Sequence, residues 1–156
     1  MKFDGIKKVS EGRFIDRYDL YYTTEDDKKK VYEIISRNKD IKTIDDVHNN
    51  KTDGVVIVAT DENDERILIN KEYRMSVGDY VYNFPAGLID AGETPEIAAK
   101  RELKEETGLD VSGAQGGYLF TYKRENPGEG DNYFVDVYRF VMDVKEEDLH
   151  LQEEET

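Results

Sequence analysis

The sequence predicts an α+β fold, an α/β/α sandwich in which a mixed β-sheet packs against a long helix. Three observations predict it. Runs of β-branched and aromatic residues of strand length recur along the chain, polar turn sequences separate them, and one helix with signals at both ends lies between them. The 156 residues, 37% of them hydrophobic, are enough for a core that folds without disulfides.

The first fifty residues are predicted to form antiparallel strands around 14–24 and 30–37. Both segments alternate between apolar and polar residues, and a charged turn at 25–30 separates them. Residues 40–52 are expected to form a loop. We therefore treat 1–50 as a unit of N-terminal strands and 51–156 as the remaining domain.

The next two apolar runs, 54–60 and 66–73, are joined by an acidic turn and are predicted to pair as a hairpin. The polar segment 123–132 is expected to be a loop. Further strands are predicted at 80–84, 117–122 and 133–142.

The predicted helix runs from Pro95 to Thr107. Thr94 is a favourable N-cap, proline suits the first helical position, and Gly108 follows the last turn. Both helix ends are therefore specified locally.

Three carboxylates, Glu102, Glu105 and Glu106, share a narrow arc of this helix, since successive residues are about 100° apart. Carboxylates so close repel each other unless a cation lies among them. Mg²⁺ prefers oxygen ligands and often bridges to substrate phosphates, so this face is a candidate metal site. The alternative is a solvated helix face with ordinary ion pairs four residues apart, such as Arg101 with Glu105.

The segment 87–109 matches a spaced pattern, G-x5-E-x7-R-E-U-x-E-E-x-G-U, in which U is a bulky aliphatic residue. It is filled by Gly87, Glu93, Arg101, Glu102, Leu103, Glu105, Glu106, Gly108 and Leu109. This pattern is the Nudix box, and the chain therefore resembles the Nudix hydrolases. The resemblance implies a mixed sheet between helices, with the box helix packed on one side. It also implies hydrolysis of the pyrophosphate in nucleoside diphosphates linked to another group, with Mg²⁺ or Mn²⁺ and a water nucleophile.

By this resemblance, Glu102 and Glu106 are the principal metal ligands and the main-chain carbonyl of Ala86 completes the site. Glu105 either joins them or holds a bound water. The resemblance also implies that Glu93 and Arg101 form an ion pair that fixes the loop against the helix.

Gly87 opens the box, and we expect the backbone there to approach ligand or metal closely, although a plain turn is the alternative.

Residues outside the box resemble those of the branch of ADP-ribose and nucleoside-diphosphosugar pyrophosphatases. In that branch an arginine at the position of Arg74 contacts the diphosphate, and an aromatic–acid pair like Tyr32 and Glu33 holds adenine. Pro127 lies near the position of a further proline of the branch, offset by about two residues. Each residue also has an alternative without a role in binding. Arg74 could be an exposed surface residue, Tyr32 an ordinary strand residue, and Pro127 part of a Pro-Gly turn.

The general base is the least determined role. The branch often places it in an acidic loop before the last strand, which here falls on Glu153, Glu154 and Glu155 at the end of the chain. A solvated tail is the alternative for these residues. Other candidates are Glu105, Glu125, Glu129 and Asp131.

We therefore expect a hydrolase of ADP-ribose or a related nucleoside diphosphate sugar. The alternatives are a nucleoside triphosphate pyrophosphatase and a non-catalytic ADP-ribose sensor. In this branch the N-terminal strands reach across a dimer, so the resemblance also implies a homodimer. Members of the family usually continue with another strand and a final helix, so the resemblance also raises the expectation of a C-terminal truncation.

The charge balance, 22 basic against 36 acidic residues, gives a formal net charge of −14. It argues against nucleic acid or a membrane surface as partner and favours a small-molecule nucleotide that metal ions bring into an acidic site. The sequence has no cysteine, no long apolar run and no signal-type start, so a cytoplasmic location is expected.

Overall fold

The computed structural model describes residues 1–48, 51–126 and 131–150. The chain divides into two compact units, Met1–Asn50 and Lys51–Thr156.

The N-terminal unit is an antiparallel sheet in the order β1-β2-β3, followed by one helical turn. Its elements are β1 (Lys2–Ser10), β2 (Asp16–Thr23), β3 (Lys29–Ser36) and α1 (Ile44–Val47). The sequence predicts β2 and β3 but misses β1, whose lysines and glycine weaken its β-propensity. It also misses α1 in the expected loop. Thr43 and Asp46 cap that turn reciprocally, and four residues are too few for a helical period.

Tyr18, Leu20 and Ile41 are the buried apolar residues of this unit. The Tyr18 hydroxyl donates to the backbone carbonyl of Asn38 at 3.0 Å, so the ring is buried with its polar end satisfied. Asp16 is also fully buried. Its carboxylate lies 2.9 Å from the Lys8 ammonium, which compensates the charge.

The second unit is built around a four-stranded mixed sheet, a separate two-stranded hairpin and one long helix. Its elements are β4 (Thr52–Thr60), β5 (Asn70–Arg74), β6 (Asp79–Asn83), β7 (Ala86–Leu88), α2 (Pro95–Thr107), β8 (Gln115–Asn126) and β9 (Asp131–Val141), with a short 3-10 helix at Glu146–Asp148.

The sheet has the order β7-β4-β9-β8, with β4 and β9 parallel and the other neighbours antiparallel. Helix α2 packs on the sheet through apolar residues of its buried face. The core they form contains Val55, Ile57, Ala59, Ala98, Ala99, Leu103, Leu109, Val111, Tyr138 and Phe140. The predicted α+β class, a mixed sheet with the helix packed on it, is confirmed.

Helix α2 has the bounds that the sequence predicts. The Thr94 hydroxyl accepts from the Ile97 N–H at 3.3 Å, Pro95 occupies the first turn, and Gly108 ends the helix with φ of 78°. None of the helices in residues 1–48, 51–126 and 131–150 combines the length and the apolar character needed to cross a membrane.

The hairpin predicted between 54–60 and 66–73 is wrong. Strand β4 pairs with β7 and β9, and β5 pairs with β6. The two predicted arms meet only next to their turn, where Thr60 bridges Ile67 and the Leu68 N–H donates to the Ala59 carbonyl at 2.9 Å. The sequence of β4 is apolar at consecutive positions and so has no alternation that selects a partner, which made proximity in the sequence misleading.

Both ends of the loop expected at 123–132 are strand instead, since β8 runs to Asn126 and β9 begins at Asp131. Pairing of β8 with β9 continues through Glu125 opposite Asn132 to Asn126 opposite Asp131. Backbone hydrogen bonds hold this ladder together, so polar side chains do not end it.

Candidate active site

The segment before the helix is anchored to the sheet by β7. Gly87 pairs with Val55, and Leu88 pairs with Gly54. A Cβ on Gly54 would lie 2.9 Å from the Gly87 carbonyl oxygen, so glycine permits this close approach. The start of the 87–109 segment is therefore held against the core.

Gly87 lies directly against the carboxylate of Glu102. A Cβ built on Gly87 would be 1.9 Å from Glu102 Cδ and 2.0 Å from its Oε1, which no real contact allows. The side chain from the helix therefore fills the space that any larger residue at 87 would require.

The Arg101 guanidinium joins this loop to the helix through five hydrogen bonds. Its Nε and Nη2 donate to the two carboxylate oxygens of Glu93 at 3.0 and 2.9 Å, and Nη2 also donates to the Leu88 carbonyl at 2.9 Å. Its Nη1 donates to Glu102 at 2.8 Å and to Glu105 at 3.0 Å. The planar fork suits this bidentate arrangement, and a lysine would not reproduce it.

The electrostatics keep this pair charged. The hydrogen bond from Arg101 lowers the pKa of Glu93, with a further contribution from the Asp90 N–H at 3.1 Å, and the same pairing raises the pKa of Arg101. The ion pair is therefore present throughout the neutral range.

Glu106 is in a different environment. Burial raises its pKa to about 7, and repulsion by the carboxylates of Glu102 and Glu72 adds to the shift. The N–H of Ala86 and the side-chain amide of Asn70 donate to the Glu106 carboxylate and partly oppose it. A nearby cation would favour the charged form of this group.

Comparison with known proteins places this geometry in a family. The protein-family model described as NUDIX domain matches residues 50–156, more than half of the chain. The chain belongs to the Nudix family. It is 38% identical over 108 residues to "Putative nudix hydrolase 2" of Caenorhabditis elegans, which covers 67% of this chain and 45% of that protein. It is 32% identical over 107 residues to an ADP-ribose pyrophosphatase of Saccharomyces cerevisiae, which covers 66% of this chain and 43% of the relative.

A solved structure supports the Nudix fold. The crystal structure of an ADP compounds hydrolase superposes with a TM-score of 0.62 at 20% identity, covering all of this chain and 72% of the other. The chain spans less than half the length of the two curated relatives.

The Nudix-box residues fit a hard divalent cation in ligand type. Glu102 and Glu106 lie close enough to repel each other, and both offer the oxygens that Mg²⁺ prefers. Because the N–H and C=O of a residue in an extended strand point to the same side, the Ala86 carbonyl should be directed towards Glu106, as its N–H is.

The side chains are not arranged around a metal. Across the described residues, no three carboxylate, imidazole or thiol side chains converge tightly enough to hold one. Glu102 and Glu105 both accept from Arg101 instead. The ligand assignments therefore stay predictions.

The structure thus brings together seven of the predicted residues around the Nudix box: Ala86, Gly87, Glu93, Arg101, Glu102, Glu105 and Glu106. Arg74 ends β5 and forms an ion pair with Glu72. Tyr32 and Glu33 lie on β3 of the N-terminal unit, where Tyr32 is exposed and Glu33 accepts from Arg17 at 3.3 Å.

The remaining predicted residues lie at or beyond the limits of the described chain. Glu125 and Asp131 are in the paired ends of β8 and β9. The residues outside the described ranges are Pro127, Glu129, Glu153, Glu154 and Glu155.

Sequence reasoning missed two residues that the structure places beside the Nudix helix. Asn70 donates to Glu106, and the charge of Glu72 acts on the same carboxylate. Asn70, Glu72 and Arg74 alternate along β5 and so share one face, which links the first two to the predicted Arg74, but alternation does not show which element that face meets.

Proposed function

We propose that the protein is a Mg²⁺-dependent pyrophosphohydrolase that cleaves ADP-ribose, or a related nucleoside diphosphate sugar, into AMP or another nucleoside monophosphate and a sugar phosphate. The observation that carries the proposal is the bonding of Arg101, which fixes loop and helix together and so holds Glu102 beside Gly87. The name of the yeast relative supports the substrate class.

Glu102 and Glu106 would hold Mg²⁺ together with the carbonyl of Ala86. The ion would supply polarised diphosphate oxygens and a water of lowered pKa. Mn²⁺ has the same ligand preference and is the alternative ion. Glu105 is exposed beside Arg101, where it is available to hold a water or accept its proton.

Outside the box, the guanidinium of Arg74 is proposed to bind the diphosphate, and Pro127 is proposed as a further substrate-binding residue. The acidic residues Glu153, Glu154 and Glu155 stay candidates for the general base.

The N-terminal strands are proposed to mediate a homodimer and to contact the base through Tyr32 and Glu33. The exposure of Tyr32 on the edge strand β3 supports this, since an accessible ring can stack on adenine. Sedimentation of the purified protein tests the dimer, and a monomer at micromolar concentration would contradict it. The proposed location is the cytoplasm, which imaging of a fluorescent fusion tests.

The reaction is tested with ADP-ribose, nucleotide sugars and deoxynucleoside triphosphates, each with and without Mg²⁺, with products separated by chromatography. We expect AMP and ribose phosphate from ADP-ribose only when Mg²⁺ is present. Release of pyrophosphate from triphosphates would instead support a triphosphate pyrophosphatase. Binding of ADP-ribose without turnover would support the sensor.

The metal assignment is tested by Glu106→Gln, which keeps the shape of the side chain and removes its charge. We expect kcat/KM to fall by about 10–100-fold or more, because a ligand charge is lost. The matched control is Glu96→Gln on the same helix, where the carboxylate is exposed and pairs with Lys100 at 2.7 Å. Equal activity of both variants would show that Glu106 is not a ligand.

A further inference from the structure

The hairpin of β5 and β6 has one polar face. Asn70, Glu72 and Arg74 share this face because strand residues alternate, and their register partners on β6 are Asn83, Val81 and Asp79. The Asn70 side chain donates to Glu106, so this face adjoins the Nudix helix. The Asn70 end of this face therefore lies next to the Nudix box.

Glu72 is already paired with Arg74, the cation of this face. Its Oε1 accepts from Nη2 of Arg74 and, at 2.7 Å, from Nδ2 of Asn83. Asp79 lies directly opposite Arg74 in the register, yet its carboxylate accepts from the N–H of Tyr80 at 2.7 Å. Within residues 1–48, 51–126 and 131–150, the proposed diphosphate-binding arginine thus pairs with one carboxylate, that of Glu72.

Glu72 also lies near the box. It is two residues from Asn70 on the same face of β5, and Asn70 donates to Glu106. An anion bound between the helix and this hairpin therefore encounters both an arginine and the carboxylate that compensates it.

We propose that Glu72 is a specificity-determining residue, which offsets the charge of Arg74 and makes the site favour a diphosphate diester over a nucleoside triphosphate. The inference rests on the proposed function. The two internal phosphates of a diester carry about one charge each, whereas a terminal phosphate, with a second pKa near 6, carries nearly two at neutral pH. Repulsion by Glu72 therefore penalises the triphosphate more.

The test compares the protein with its Glu72→Gln variant. Glutamine keeps the length of the side chain and an oxygen that accepts from Asn83. Because it is neutral, it no longer compensates the charge of Arg74. Isothermal titration gives Kd for the α,β-methylene analogues of ADP-ribose and ATP at one saturating Mg²⁺ concentration. Turnover of the natural compounds gives the ratio of kcat/KM. An altered metal affinity affects both ligands and cancels in these ratios.

We expect Glu72→Gln to shift both ratios towards the triphosphate by roughly threefold to tenfold, mainly through Kd and KM. The matched control is Asp79→Asn, which removes the same charge from the same face without touching the pair, and its ratios should stay those of the unmodified protein.

Unchanged ratios in Glu72→Gln, with a protein that binds and cleaves ADP-ribose, would overturn the inference and leave the proposed function intact. An equal shift in Asp79→Asn would also overturn it, since general charge would then be the cause. Failure of the unmodified protein to bind or cleave either compound would overturn both proposals.

Discussion

At the residue scale, Gly87 has the strictest steric requirement of the box. Its backbone is extended in β7, so alanine could adopt its dihedral angles, but the added Cβ would meet the carboxylate of Glu102. The glycine is thus required by a contact across space and not by its own conformation. Loss of that contact should affect the site and spare the fold.

We therefore predict that Gly87→Ala displaces Glu102 and lowers kcat/KM by about 10–100-fold, with an unchanged far-UV circular dichroism spectrum. The control is Gly113→Ala in the same unit, where a Cβ would have no neighbour within 4 Å. Full activity of Gly87→Ala would contradict the close approach of Glu102.

Individual residues could be predicted where one local pattern contains them. The spacing from Gly87 to Glu106 selects the box side chains, because loop and helix are consecutive in the chain. The contacts of Asn70 and Glu72 could not be predicted in this way. They depend on a hairpin that contacts the helix in space, although Asn70 and Glu106 are 36 residues apart in the chain. One sequence does not show which strand packs beside the helix.

At the element scale, the loop and helix α2 act as one piece because Arg101 bonds to both. The guanidinium donates to Glu93 and to the Leu88 carbonyl on the loop side and to Glu102 on the helix side. A lysine at 101 would keep the charge but could not make these bonds at once.

Arg101→Lys should accordingly lower the free energy of unfolding by roughly 1–2 kcal/mol and reduce kcat more than KM. Urea unfolding followed by circular dichroism measures the first effect, and steady-state kinetics measures the second. Lys104→Arg, at an exposed position that pairs with Asp110 at 3.0 Å, is the control. A fully stable and active Arg101→Lys would show that the charge alone is sufficient.

Elements were predictable to the extent that their signals are local. The bounds of α2 follow from Thr94, Pro95 and Gly108, which act on the backbone next to them. Strand pairing is not local, and the parallel partner of β4 is β9, some eighty residues later. Most strands were therefore predicted at the correct positions, but the predicted pairing of 54–60 with 66–73 was wrong.

At the scale of the whole molecule, a buried ion pair makes the stability of the fold depend on pH. In the N-terminal unit the hydrogen bond from Lys8, helped by the Gly12 N–H, holds the pKa of the buried Asp16 below its usual value. A lowered pKa in the folded state stabilises the fold above the unfolded pKa of about 3.9, and this contribution is lost as the pH falls through the folded value.

We predict that Asp16→Asn is less stable than the unmodified protein at pH 7 and that the difference shrinks below about pH 4. Urea unfolding at a series of pH values, followed by circular dichroism, measures it. Asp45→Asn, on the exposed side of α1, should show no such convergence. A stability difference independent of pH would mean that the Asp16 charge has no part in it.

The outer face of the β5–β6 hairpin is a suitable position for a fluorescent reporter. Lys71 lies over the rings of Tyr80 and Tyr82, and the sequence contains no tryptophan. A single tryptophan in place of Tyr82 would therefore be the sole indole emitter of the chain, on the strand pair whose opposite face contacts the Nudix helix. Its fluorescence would report, without any label, whether the hairpin moves when a nucleotide arrives.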